Sequence, residues 1–137
     1  MDERRIYALL NASTAPLWLA MILAPRSRLT ARLLRVATPL TAGLGVGYAA
    51  LLARATGDGL RLDFRDPQAV RAALSQPFAF LAGWAHYLAF DLFVGRWIHE
   101  TGLAEGRSTR LALLLTWMFG PAGLTLFLAQ RALRRRR

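Results

Sequence analysis

The stretch FAFLAGWAHYLAFDLFVGRWI, Phe78 to Ile98, decides the fold class. A helix needs about 20 mainly apolar residues to cross the hydrocarbon core of a bilayer, and this run supplies them. Three other segments have a similar character: about Ile6 to Ala24, Val36 to Ala53 and Leu111 to Gln130. Together they predict an all-α fold, an integral membrane bundle of four transmembrane helices forming a single domain over residues 1–137.

The placement of charge supports the same reading. The chain carries a net charge of +10, which alone would suggest a nucleic-acid binder. Its arginines, however, fall in the gaps between the apolar runs, and five of them (Arg131, Arg134, Arg135, Arg136 and Arg137) close the sequence. Basic residues that bracket hydrocarbon-length segments suit anionic headgroups rather than a nucleic-acid backbone. The hydrophobic share of 55% exceeds the roughly 45–50% usual in soluble domains. A secretory signal peptide fits the first segment poorly, because Asn11 and Pro16 interrupt it.

Between the second and third segments, Arg54 to Gln76 forms the only substantial loop. Asp66 reads as an N-cap with Pro67 at the first helical position, predicting a short interfacial helix from Pro67 to about Ser75. Four spans would place both termini and this loop on one side, with eleven arginines against seven on the other. That excess predicts that both termini are cytoplasmic.

Polar groups inside an apolar span are costly and tend to be kept for function. The third segment holds His86, Asp91 and Arg96. At about 100° per residue, Trp84, Tyr87, Asp91 and Gly95 share one stripe, and His86, Phe90, Phe93 and Trp97 a neighbouring one. A carboxyl removed from water favours its protonated form, so Asp91 is a candidate proton donor. Its structural alternative is a helix–helix hydrogen bond to Asn11, Ser13, Thr14 or Thr116. His86 reads equally as a neutral structural imidazole, and Arg96 as a side chain reaching for headgroups. Trp84, Phe90, Phe93 and Trp97, with Phe78, Phe80, Trp18, Trp117 and Phe119, would line an elongated apolar pocket if they face inward. Such a pocket suits a long, flat, lipid-soluble ligand. Gly43, Gly45 and Gly47 read as a close helix-packing face. The chain has no cysteine, and its two histidines lack metal-ligand spacing, so no metal site is predicted.

The run Gly83-Trp84-Ala85-His86-Tyr87-Leu88-Ala89-Phe90-Asp91-Leu92-Phe93-Val94-Gly95-Arg96-Trp97-Ile98 resembles the signature of the abscisic-acid-deficient-four-like family. Ala15-Pro16-Leu17-Trp18, Leu23-Ala24-Pro25-Arg26 and Phe119-Gly120-Pro121-Ala122-Gly123-Leu124 fit the same pattern, which departs from it in having Leu17 where a glycine would follow the proline. These are small membrane proteins whose plant members act in forming neoxanthin from violaxanthin. For a bacterial member, the resemblance implies a multi-pass protein of the bacterial inner membrane that modifies a carotenoid by isomerase-like acid–base chemistry, with no cofactor. It assigns Asp91 as acid, His86 as base, and Tyr87 or Arg96 as stabilisers of oxyanion charge. Trp84, Phe90, Phe93, Trp97 and Asn11 would hold the polyene. A non-catalytic carotenoid- or lipid-binding partner of another membrane enzyme is the alternative. The expected partners are the lipid bilayer, a carotenoid or similar polyene, and a second copy or another carotenoid enzyme.

Overall fold

The computed structural model describes residues 2–61 and 63–135 and, among them, contains helices and no strand. In chain order the helices are α1 (Glu3–Leu23), α2 (Arg28–Leu34), α3 (Ala37–Gly57), α4 (Pro67–Leu74), α5 (Pro77–Ala104), α6 (Arg110–Phe119) and α7 (Pro121–Arg135). Three helical stretches are long and apolar enough to cross a membrane: Glu3–Leu23, Arg28–Gly57 (α2 running into α3) and Pro77–Ala104. Helix α5 is the centre, packed against α1, α3, α4, α6 and α7. Its small and aliphatic residues Ala82, Ala85, Leu88 and Leu92 are buried, whereas Phe80, Phe90, Phe93 and Trp97 are exposed. An apolar outer surface of this kind is stable in lipid and costly in water.

Local chemistry accounts for the helix ends. Asp66 accepts a hydrogen bond from the Gln68 amide at 2.9 Å, and Pro67 opens α4, so the short helix read from the loop is present. Helix α2 lies where the sequence suggested a basic loop. Ser27 caps it by accepting from the Thr30 amide at 3.0 Å. The buried Thr30 hydroxyl then donates toward the Ala24 carbonyl at 2.6 Å and the Ala20 carbonyl at 3.1 Å. The Thr30 hydroxyl thereby adds a further donor to carbonyls already reached by the Ala24 and Ser27 amides, and ties α2 to the end of α1.

The expected fourth span is where the structure departs most from the sequence reading. Residues 111–130 do not form one helix: α6 ends at Phe119 and α7 begins at Pro121. Gly120 has a φ of 50°, in the left-handed region that favours glycine, and Pro121 has no amide hydrogen to continue the ladder. The chain does not merely kink there; it folds back. The α-carbon of Gly123 lies so close to the Ala112 carbonyl and the Thr116 amide that no side chain fits between them. Farther along, Arg107 lies over the Phe127 ring at 5.4 Å, and Arg131 Nε meets Glu105 Oε1 at 2.6 Å. Helices α6 and α7 are therefore a tight antiparallel hairpin with its tip at Gly120. The fully buried Phe127 locks it to the core formed by Trp18, Met21, Leu92, Ile98 and Leu113.

This hairpin fixes the ends of the bundle. At one end, Tyr7 packs on Phe80 and the Arg54 guanidinium lies over Phe78. At the other, Arg110 donates to the Leu23 carbonyl, Gly102 abuts Thr109 and Arg131 meets Glu105. The start of α1 thus lies at the first end and the end of α7 at the second. Four full crossings would have brought these two helix ends together; the turn at Gly120 separates them along the bundle.

A second correction concerns glycine. A methyl group placed on Gly43, Gly45 or Gly47 would meet nothing within 4 Å, so these are not close-packing positions within the chain. The tight contacts are elsewhere, at Gly95 against the Trp18 indole, Gly102 against Thr109, and Gly123 against α6.

Glu105 links the hairpin to the end of α5. Desolvation pushes its carboxyl up, but hydrogen bonds and charge from Arg131 and Arg107 outweigh this and hold it below the usual carboxylate range. A group lowered in the folded state contributes stability above its unfolded pKa, about 4.3 for glutamate, and loses it as pH falls through the folded value. Amide protection factors across residues 128–134, with the intrinsic pH dependence of exchange divided out, are expected to be constant from pH 8 to 6 and to fall below about pH 4. A fall already at pH 6 would show that Glu105 does not hold this segment.

Candidate functional site

The polar residues of α5 divide between two places. The first is at mid-depth. Asp91 lies near the middle of α5, and the hairpin tip comes down onto it: a methyl group on Gly120 would stand 3.4 Å from both Asp91 carboxyl oxygens and 3.5 Å from Tyr87 Cε2. Asp91 Oδ2 is buried with no hydrogen-bond partner among the described residues. The hydroxyls that the sequence offered as partners do not serve it. Ser13 donates to the Leu10 carbonyl, Thr14 to Asn11 and Thr116 to Ala112, each within its own helix. The expected alternative, a structural bond from Asp91 to one of these groups or to Asn11, is absent. Asn11 instead accepts from Trp84 Nε1 at 3.3 Å and donates to the Tyr7 carbonyl at 2.8 Å.

A continuous series of rings leads from Asp91 toward the N-terminal end of the bundle. Tyr87 lies 5.4 Å from Trp84, which lies 5.1 Å from Tyr7 and 6.0 Å from Phe80, centroid to centroid. The stripe read on α5 (Trp84, Tyr87, Asp91) is therefore a physical face, extended by Phe80 and completed by Tyr7 and Asn11 of α1. The sequence did not single out Tyr7, because nothing local marks which face of α1 meets α5.

The second place is a groove of about 550 Å³ between α3 and α5, lined by Thr38, Thr41, Phe93, Arg96, Trp97 and Glu100 among others. Arg96 donates to Glu100 Oε1 at 2.7 Å and to Thr38 Oγ1 at 2.5 Å. Its charge is thus engaged on the α3 side, in a groove that does not include Asp91.

His86 is exposed beside Tyr48 of α3 and Phe90, with ring centroids at 5.7 and 4.6 Å. Neither His86 nor Arg96 joins Asp91 and Tyr87. The aromatic set expected to line one pocket is likewise divided. Trp18 and Trp117 stack in the core at 6.2 Å, Phe93 and Trp97 border the groove, and Phe90 and Phe119 face outward. A polar residue that sequence reasoning passed over is His99, fully buried in α5 with Nδ1 unpartnered among the described residues. It stands one residue past the Phe78–Ile98 run and beside Glu100, so no local signal marked it as buried. Among the described residues, no three histidine, aspartate or glutamate side chains converge in a way that would hold a metal ion.

The chain is 24% identical, over 135 residues, to Protein ABA DEFICIENT 4, chloroplastic, of Arabidopsis thaliana. The alignment covers 93% of this chain and 61% of that relative, so the chain spans under two thirds of the relative's length. No solved structure matches. The description ABA DEFICIENT 4-like matches residues 5–127, nearly the whole chain, and the protein belongs to that family.

Proposed function

We propose that this protein isomerises the end group of a carotenoid, with Asp91 as the acid–base group. The observation that supports it most is the buried, unpartnered Asp91 oxygen held beside Tyr87 and under the helix break at Gly120. Unsatisfied buried carboxyl oxygens are expensive, and one kept at mid-membrane depth has a use other than stability. Membership of the ABA DEFICIENT 4-like family, for which the resemblance implies neoxanthin formation, supports a carotenoid as the substrate class.

The chemistry balances without a redox partner. A protonated Asp91 gives its proton to the oxygen of a ring epoxide, the carbon–oxygen bond breaks, and an alcohol forms. Loss of a proton from the adjoining polyene carbon then shifts the double bonds to an allene. The reaction consumes no net proton, so the carboxylate left after the first step recovers the second proton. One carboxyl can serve both steps, and His86 is not needed as a separate base. The Tyr87 hydroxyl would share the developing charge on oxygen. The rings of Trp84, Tyr7 and Phe80 would carry the polyene, which suits a long π-system on stacked aromatics.

A binding role without catalysis is favoured by a different observation. The groove at Phe93, Arg96 and Trp97 is larger than a single side chain needs and lies apart from Asp91. There a carotenoid or lipid would be held for another enzyme. Expression in bacteria that accumulate β-carotene, zeaxanthin or violaxanthin, with chromatography of extract and purified protein, separates the two. A new pigment of unchanged mass supports the isomerase. Unchanged carotenoid that co-purifies, and still does so after replacement of Asp91 and His86, supports the binding role. Neither product nor bound pigment sinks both.

A further inference from the structure

We propose that the chain crosses the membrane three times, that α6–α7 enters and leaves by the same face, and that this face rests on the anionic headgroups of the cytoplasmic leaflet. Only the antiparallel geometry of the hairpin and the distribution of arginine are needed for this, so it stands independently of the carotenoid reading.

Length comes first. Helix α6 has 10 residues, about 15 Å at 1.5 Å per residue, which is half of a hydrocarbon core of about 30 Å. Its tip at Gly120 meets Asp91, the midpoint of the full-length helix α5. The hairpin therefore reaches mid-membrane and no farther. Non-helical backbone at that depth is tolerated only when buried in protein. Gly120 is buried, its amide donates to the Thr116 carbonyl at 2.9 Å, and its carbonyl accepts from Gly123 at 3.2 Å.

Charge then sets the orientation. Among the described residues, Arg26, Arg28, Arg32, Arg35, Arg96, Arg107, Arg110, Arg131 and Arg134 belong to the hairpin end, against Glu100 and Glu105. The opposite end has Arg4, Arg5, Arg54, Arg61, Arg65 and Arg71, nearly balanced by Asp2, Glu3, Asp58, Asp63 and Asp66. Arginine in short segments beside spans is retained in the cytoplasm and attracted to phosphate-bearing headgroups there. The hairpin end is thus the cytoplasmic one, and the start of α1 lies outside. This reverses the orientation that four spans would imply.

The absence of cysteine from the sequence makes the test direct, since each introduced thiol is alone. Single variants Ser75→Cys, Ser108→Cys and Ala132→Cys place it at exposed positions in the full chain expressed in a bacterial host. With a membrane-impermeant maleimide on intact spheroplasts, Ser75→Cys is expected to label. Ser108→Cys and Ala132→Cys are expected to label only after permeabilisation, each at least tenfold more than before. Ser108→Cys and Ala132→Cys labelling from opposite faces would overturn the hairpin. Both labelling from outside would overturn the orientation. Replacing Arg26, Arg28, Arg32 and Arg35 together by glutamine is expected to let a measurable fraction of Ser108→Cys label in intact spheroplasts, and no change would overturn the role of arginine.

Discussion

Asp91→Asn is expected to lower formation of the isomerised carotenoid by about a hundredfold or more, the usual range for loss of a positioned proton donor. Asparagine has nearly the same shape, so the aromatic series, the hairpin tip and the contact with Gly120 stay in place. Helix content, membrane insertion and co-purified pigment should therefore be unchanged, and only turnover should fall. Tyr87→Phe should cost about tenfold, because it removes a hydroxyl that shares charge but leaves the proton donor. His86→Ala should have little effect, since His86 lies on an exposed face beside Tyr48. If Asp91→Asn retains activity while His86→Ala loses it, chemistry has been assigned to the wrong side of α5.

The second large effect is structural. Gly123→Val is expected to separate α7 from α6, because the new side chain must occupy the space of the Ala112 carbonyl and the Thr116 amide. Backbone groups cannot turn aside as a flexible side chain can, so helix packing itself must give way. Overpacking of this kind costs about 1–3 kcal/mol, and the loss of burial at Phe127 adds to it. In detergent, the unfolding midpoint should fall by several degrees. The comparison is Gly45→Val, where nothing stands within 4 Å of the added carbon and the midpoint should barely move. Equal effects at the two positions would mean that the hairpin is not packed as described.

The glycines show what could and could not be read in advance. In sequence, the triplet at 43, 45 and 47 is conspicuous and Gly123 is not, although Gly123 makes the closer contact. Spacing along one helix indicates which residues share a face. It does not indicate whether another helix covers that face. The same limit explains α6 and α7. Gly120-Pro121 stands midway in the fourth apolar segment, and proline inside an apolar run usually means a kink. Whether such a break bends the helix or reverses it depends on the φ of Gly120 and on contacts with Ala112 and Glu105, distant in sequence.

Where the signal was local, the reading held. Asp66 and Pro67 start α4 as their types dictate. Trp84, Tyr87 and Asp91 share a face because helical periodicity alone requires it. The second stripe, with His86 and Phe90, is real as geometry but faces outward, which periodicity could not tell. The Ser27 cap of α2 was present in sequence but was obscured by the arginines around it.

The hairpin also bears on how the protein is made. If its end is cytoplasmic, residues 105–135 begin and finish on the side where the ribosome works. The insertion machinery then has no basic tail to carry through the lipid after the third crossing. Helix α6 need only slip halfway in against helices already seated, with α7 following it back. The mid-depth carboxyl would receive its cover only after the rings of Trp84, Tyr7 and Phe80 are in place.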